Sequence, residues 1–295
     1  MGPKWKNISA MLIFGSIGLF VRGIPLDSPH VVLGRCFIGA GFLLLTALAM
    51  KSKPDLEAMK RNGWLLVFSG AALGFNWVCL FESYRYTTIA VSTLSYYLAP
   101  VFVMLLSPLV LKEKLSGVRA ACAAVSLAGM ALVSGVLGGA PAGKNNTLGV
   151  LLGILAAAQY AAIVLMNKFF RELSARDCSM AQLTVAGVCV LPYALARGGS
   201  WSMSAGGWGL LLVLGVVHTG AAYMMYFASL RELPAQTAAM LSYIDPLTAV
   251  LLSVALLREP MSGAQWVGAV LVLGALLAAE VLEGRKRGGT PAEKL

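Results

Sequence analysis

Polar side chains that interrupt long apolar runs are where this 295-residue chain could do chemistry. Asp245 stands beside Pro246 in LSYIDP, and His218 stands in VVHTG. A carboxylate in such surroundings can hold an ammonium group or carry a proton, and an imidazole, with a reference pKa of about 6.5, can share it. Pro246 has no N–H, so it leaves a backbone carbonyl unpaired and loosens its helix beside the carboxylate. Asn76 and Gln159 each donate and accept, which suits a polar or zwitterionic solute. Trp77, Tyr96, Tyr97, Tyr160, Tyr223 and Tyr243 offer aromatic faces to a cation or a flat molecule. Arg35 can attract an anionic group such as a carboxylate.

Each of these residues also has a use in which it binds nothing. Asp245 and His218 can be interior hydrogen-bonding partners, Asn76 and Gln159 can join one helix to another, and the aromatic rings can be packing. Arg35 can pair with Glu82 at similar depth, and Glu82 can equally pair with Arg85, three residues along the same helix. Glu113 and Glu259 are expected to anchor short loops at opposite membrane faces. Gly70/Gly74 and Gly149/Gly153 are expected to permit close helix approach.

Other chemistries find little support. Gly138 to Asn145 (GGAPAGKN) imitates a phosphate loop, but Asn145 replaces the magnesium-binding hydroxyl and the segment joins two apolar helices. The five cysteines, Cys36, Cys79, Cys122, Cys178 and Cys189, have no paired spacing. With two histidines and no ligand-spaced cluster, neither a metal nor a cofactor is expected. Nor is any nucleophile accompanied by its own base, so the chain reads as no enzyme. An intramembrane enzyme or assembly factor is the least favoured alternative.

The elements that must position these side chains follow from composition: 58% of residues are apolar and 12% charged. About 20 apolar residues cross about 30 Å of hydrocarbon as a helix, and ten segments approach that length. They run from Trp5 to Gly23, His30 to Met50, Trp64 to Tyr86, Ile89 to Leu111, Arg119 to Leu137, Leu148 to Phe169, Met180 to Ala196, Trp208 to Leu230, Ala235 to Leu257 and Gln265 to Leu282. Asn76, Trp77, Gln159, Tyr160, His218 and Asp245 fall near span centres, and Arg35 about a turn and a half inside the outer interface. The reading is an all-α integral membrane protein with ten transmembrane helices and no separate soluble domain.

A net charge of +10 could suggest nucleic acid, but its distribution suggests topology. With the N-terminus in the cytoplasm, every Lys and Arg lies on the inner side except Arg22, Arg35, Arg85, Lys144, Arg197 and Arg258. The expectation is a multi-pass protein of the cell membrane with both termini cytoplasmic. Trp5, Trp64, Trp208 and Trp266 open helices, where amphipathic rings favour the headgroup layer.

Shifting the chain by 146 residues lays LSYYLAP (Leu94 to Pro100) on MLSYIDP (Met240 to Pro246), and LKEKLSG (Leu111 to Gly117) on LREPMSG (Leu257 to Gly263). The implied units are residues 1–143, a first five-helix repeat, residues 144–284, a second, and a basic cytoplasmic tail, 285–295. Five spans are an odd number, so the second copy enters the membrane inverted, as in many carriers. On these motifs, with the glycine-rich FGSIGLFVR (Phe14 to Arg22) and Arg35, the chain resembles EamA-type members of the drug/metabolite transporter superfamily. Ala181 stands where a repeat-equivalent of Arg35 would fall, so the arginine belongs to one half only.

The resemblance implies that the third, fourth, sixth, eighth and ninth helices surround one cavity. It implies a secondary transporter that exports amino acids or related small metabolites by alternating access, with a proton as a coupling ion at Asp245 or His218. A multidrug or amphiphile efflux carrier on the same scaffold is the alternative. The expected partners are a small-molecule solute and the lipid bilayer, with a homodimer open to it and no nucleic acid.

Overall fold

In hydrocarbon a backbone must satisfy its own polar groups, which a single apolar segment can do only as a helix. The computed structural model describes residues 1–21, 23–87, 92, 95–133, 146–199, 201–257 and 262–288, and these form helices and short connections with no strand. In chain order the helices are α1 Pro3–Gly15, α2 Ile17–Val21, α3 Ser28–Ala49, α4 Leu56–Arg61, α5 Gly63–Tyr86, α6 Ala99–Leu111, α7 Gly117–Val133, α8 Asn146–Met166 and α9 Ala175–Arg197. Then come α10 Ala205–Gly215, a π-helical turn Val216–Ala221, α11 Ala222–Glu232, α12 Ala235–Leu241, α13 Ile244–Leu257 and α14 Gly263–Gly288. Arg22, Lys144, Arg258, Glu259, Lys294 and the loop Gly138 to Asn145 lie outside the described residues.

Five helical stretches among the described residues are long and apolar enough to cross a membrane: Ser28–Ala49, Gly63–Ser83, Thr147–Met166, Ala175–Arg197 and Ala205–Glu232. These and the shorter helices carry bare apolar side chains, among them Leu45, Leu109, Leu195 and Leu277, each about two-thirds exposed or more. Such a belt is at home against lipid.

The expected first, fourth, eighth and ninth spans are not single regular helices. The first breaks at Ser16 between α1 and α2. The fourth has a turn at Tyr97 and Leu98 before α6, and the ninth has one at Ser242 and Tyr243 before α13. Pro100 and Pro246 explain the last two, because each lacks an N–H and its ring crowds the carbonyl four residues earlier, on Tyr96 and Ser242. In the eighth, the π-helical turn adds a residue to the ladder, which rotates the side chains that follow it.

Packing joins α5 to α8 and α9, α3 to α9 and the π-helical turn, α1 to α11 and α13, α6 to α8, and α7 to α14. The expected glycine pairs sit at such crossings. A Cβ on Gly74 would stand 2.9 Å from the Ala186 carbonyl oxygen, and one on Gly153 would stand 2.8 Å from the Ser95 Cβ. At Gly15 it would meet the Asp245 carbonyl oxygen at 2.5 Å, so α1 touches the backbone of α13 beside the carboxylate. The largest core cluster, with Met11, Leu43, Leu73, Leu183 and Phe227, fills the middle of the bundle.

Candidate functional site

Where α1, α3, α5, α8, α11 and the two interrupted helices meet, they leave a cavity of about 330 Å³. It extends from the middle of the bundle towards Val21 and Val31, the end at which α2 finishes and α3 begins. Two charged side chains face it, Arg35 from α3 and Asp245 from the first turn of α13. Its walls are largely aromatic: Phe14, Trp77, Phe81, Tyr96, Tyr97, Tyr160 and Tyr223.

Arg35 is buried, and its guanidinium lies over the Trp77 ring with Cζ 4.5 Å from the centroid. Its Nε–H donates to the Thr219 hydroxyl at 2.9 Å, and that hydroxyl donates to the Leu214 carbonyl at 2.9 Å. Thr219 belongs to the π-helical turn, and Gly39, Gly215 and Gly220 let this turn press on α3. A Cβ on Gly215 would fall 2.4 Å from an Ile38 methyl carbon. The fork thus has a fixed direction, with a donor side left towards the cavity.

The expected ion pair between Arg35 and Glu82 does not form. Glu82 bonds instead to Arg85 at 3.0 Å, to Arg197 and to the Tyr193 hydroxyl. Arg35 meets α5 at Trp77, and Glu82 lies five residues further along, about 7.5 Å up the helix axis. The alternative expectation, Glu82 with Arg85, is the one realised.

Among the described residues, the carboxylate of Asp245 has no hydrogen bond or ion pair to another side chain or backbone group. Its position follows from the interruption, since Asp245 sits immediately before Pro246, where the chain re-enters a helix after Ser242 and Tyr243. Arg35 and Asp245 do not pair with one another either, so among the described residues the cavity is faced by a guanidinium and a carboxyl group with no ion pair between them.

Between them the rings brace each other. Trp77 meets Tyr223 edge to face at 5.8 Å, Phe14 lies 4.9 Å from Tyr223, and Tyr96 meets Tyr160 at 5.9 Å. The Tyr160 and Tyr226 hydroxyls are hydrogen-bonded at 2.6 Å.

Four expected site residues lie outside the cavity lining. Asn76 donates to the Ala156 carbonyl at 2.6 Å and joins α5 to α8. Gln159 is likewise turned away. Neighbouring residues of a helix point about 100° apart, and here the cavity takes Trp77 and Tyr160 but not Asn76 and Gln159 beside them. His218 is hydrogen-bonded through Nε2 to the Ser16 hydroxyl at 2.9 Å and packed on Phe20, which makes it a clasp on the break between α1 and α2. Tyr243 is fully buried among Met130, Leu247, Ala269 and Val272, on the α7 and α14 side of the broken helix.

Sequence reasoning missed Phe14, Phe81 and Ser242 on the cavity wall, and Thr219 and Tyr226 behind it. One signal was available: the shift of 146 residues places Ser242 on Tyr96. The others carry no signal apart from their neighbours in space.

The opposite end of the bundle is closed by polar contacts. Lys6 pairs with Glu232 at 2.7 Å and Asn7 donates to Ser229 at 3.0 Å, which ties α1 to α11. Glu113, after α6, accepts from the backbone N–H groups of Ala235 at 2.8 Å and Gln236 at 3.3 Å, and so caps α12. Arg119 reaches the Gln236 side chain at 3.1 Å. Glu113 therefore anchors its loop as expected, through another helix. Among the described residues no cluster of His, Cys, Asp and Glu could hold a metal ion.

Comparisons with known proteins identify the fold and the family. A solved crystal structure of a protein 21% identical in sequence superposes with a TM-score of 0.83, covering 95% of this chain and 98% of the other, which establishes a shared fold. An uncharacterized transporter of Bacillus subtilis (strain 168), YxxF, is 31% identical over 84% of this chain and 79% of its own length. Protein PecM of Dickeya dadantii (strain 3937) is 26% identical over 86% of this chain and 84% of its own. The model of the EamA-like transporter family matches residues 7–135 and again residues 147–279. The apolar helices and these matches lead to one conclusion: the chain is a membrane transporter and belongs to the EamA-like transporter family of the drug/metabolite transporter superfamily.

Proposed function

We propose that this transporter is a secondary carrier exporting amino acids or related small metabolites by alternating access, with the solute bound between Arg35 and Asp245. One observation carries the reading: opposite charges, unpaired with each other, face one aromatic-walled cavity of about 330 Å³. A solute carboxylate fits the guanidinium, an ammonium group fits the carboxylate, and the rings shield both from water. In the absence of solute a proton can occupy Asp245, which makes it the coupling candidate; His218, fastened to Ser16, is the weaker one.

Alternating access here means ten spans in two inverted five-helix repeats, residues 1–143 and 144–284, followed by the tail 285–295. Three observations support this. The family model matches once in each half. Helix interruptions fall at Tyr97 and Tyr243, which the shift of 146 residues superposes. The contacts of α1 with α11 and α13 have counterparts in those of α8 with α5 and α6. The distribution of Lys and Arg supports cytoplasmic termini in the cell membrane, with the cavity on the outer side and the Glu113 cap on the inner.

The aromatic walls favour a second reading, a multidrug or amphiphile efflux carrier. Uptake into proteoliposomes separates the two. Transport of amino acids that follows a pH gradient and is lost in Asp245→Asn fits the first. Transport or broad inhibition by unrelated lipophilic cations, with amino acids inert, would replace it by the second.

A further inference from the structure

Away from the solute cavity, a groove of about 640 Å³ lies at the corner between α4, α5 and the segment after α8. Its two sides differ in chemistry. One is apolar and open: Trp64 is 79% exposed, and Val67 and Phe169 about half exposed. The other is cationic, formed by Lys60 and Arg61 at the end of α4 and Arg171 after α8.

The corner is built rather than incidental. Asn62, buried between α4 and α5, donates to the Arg171 carbonyl at 2.9 Å and accepts from the Arg171 N–H at 3.1 Å. These reciprocal bonds fix Arg171 opposite the end of α4. Arg61 pairs with Glu172 at 3.0 Å, in an exposed pair of little strength. Among the described residues the Lys60 and Arg171 side chains have no hydrogen-bonding or ion-pair partner.

We infer that this groove binds an acidic glycerophospholipid, with its phosphate against Lys60 and Arg171 and an acyl chain along Trp64 and Phe169. An amphiphile is required because the cations and the bare apolar side chains share one concavity. An acidic one is required because only a net anion matches unpaired cations. Positive-inside topology accounts for basic residues on this face of the membrane, but it asks neither for a concave arrangement nor for a hydrogen-bonded corner. The inference uses the membrane placement of the chain and not the identity of its solute.

Native mass spectrometry of the full-length protein, titrated in detergent with phosphatidylglycerol or phosphatidylcholine of equal chain length, tests it. Phosphatidylglycerol should be retained in preference, and Lys60→Gln/Arg171→Gln should lower its apparent affinity about thirtyfold, from the attraction of two basic residues near a surface. The same change at Arg85 and Arg197, at the other end of the bundle, should not. Equal retention of the two lipids by the parent, or an unchanged preference in the double variant, would overturn the inference. Loss of bound phosphatidylglycerol to millimolar inorganic phosphate would overturn it in favour of a free-phosphate site. The parent comparison stands even if the double variant does not fold.

Discussion

Replacing Thr219 by Val tests whether the π-helical turn aims Arg35, the arginine we propose to bind the solute. Val keeps nearly the shape of Thr but removes the hydroxyl that accepts from the Arg35 Nε–H at 2.9 Å and donates to the Leu214 carbonyl. Arg35 is buried, so no water replaces the lost acceptor without opening the packing. A hydrogen bond to a charged group contributes about 1.5–3 kcal/mol, and 1.4 kcal/mol is tenfold in affinity, so the penalty is roughly tenfold to hundredfold. It falls on the solute if the guanidinium swings away from its place over Trp77 to find another partner. The assay is the concentration dependence of uptake in proteoliposomes for the solute best transported by the parent, with thermal unfolding in detergent as a control. Half-saturation should rise by about tenfold or more in Thr219→Val, and Thr219→Ser should stay near the parent. A Val variant that folds and saturates like the parent would refute the positioning of Arg35 by Thr219.

Asp245→Asn should abolish any dependence of uptake on a pH gradient while leaving the fold intact, since the carboxylate makes no bond among the described residues; a surviving dependence, measured by the same uptake, would move coupling elsewhere. Gly215→Val should lower the thermal unfolding temperature, because a Cβ there would stand 2.4 Å from Ile38, and overpacking of this kind costs about 1–3 kcal/mol. Glu113→Ala removes the cap on the N–H groups of Ala235 and Gln236, a loss of about 1–2 kcal/mol at the closed end. A cysteine introduced near Ser229 should then react faster with a thiol reagent, and an unchanged rate would count against Glu113 as a closing contact. Glu82→Gln should leave solute half-saturation within about twofold of the parent, because Glu82 bonds to Arg85, Arg197 and Tyr193 and not to Arg35; a loss like that of an Arg35 variant would contradict the geometry.

Several parts of this structure were legible in the chain. The long apolar blocks dictated helices, because lipid offers their backbone no other partner, and the observed α3, α5, α8 and α9 follow the blocks closely. Pro100 and Pro246, aligned by the internal shift, marked where two helices would be interrupted, though the expected spans ran through both places. Arg35 and Asp245 stood out as charges with no cheap place in an apolar run.

What the chain could not disclose is which side chains share a space. Periodicity tells how residues are arranged around one helix axis, not how that helix is rotated against its neighbours. Only packing placed Trp77 and Tyr160 on the cavity and their neighbours Asn76 and Gln159 on helix contacts. The backbone breaks act likewise: Tyr97 reaches the cavity while its counterpart Tyr243 is buried in a neighbouring apolar cluster outside the lining. The π-helical turn carries no signature in residue type, yet it turns Thr219 to Arg35 and His218 to Ser16. The apolar blocks and their interruptions are local properties of the chain, whereas a guanidinium and a carboxyl group come to face one cavity only once the helices have packed.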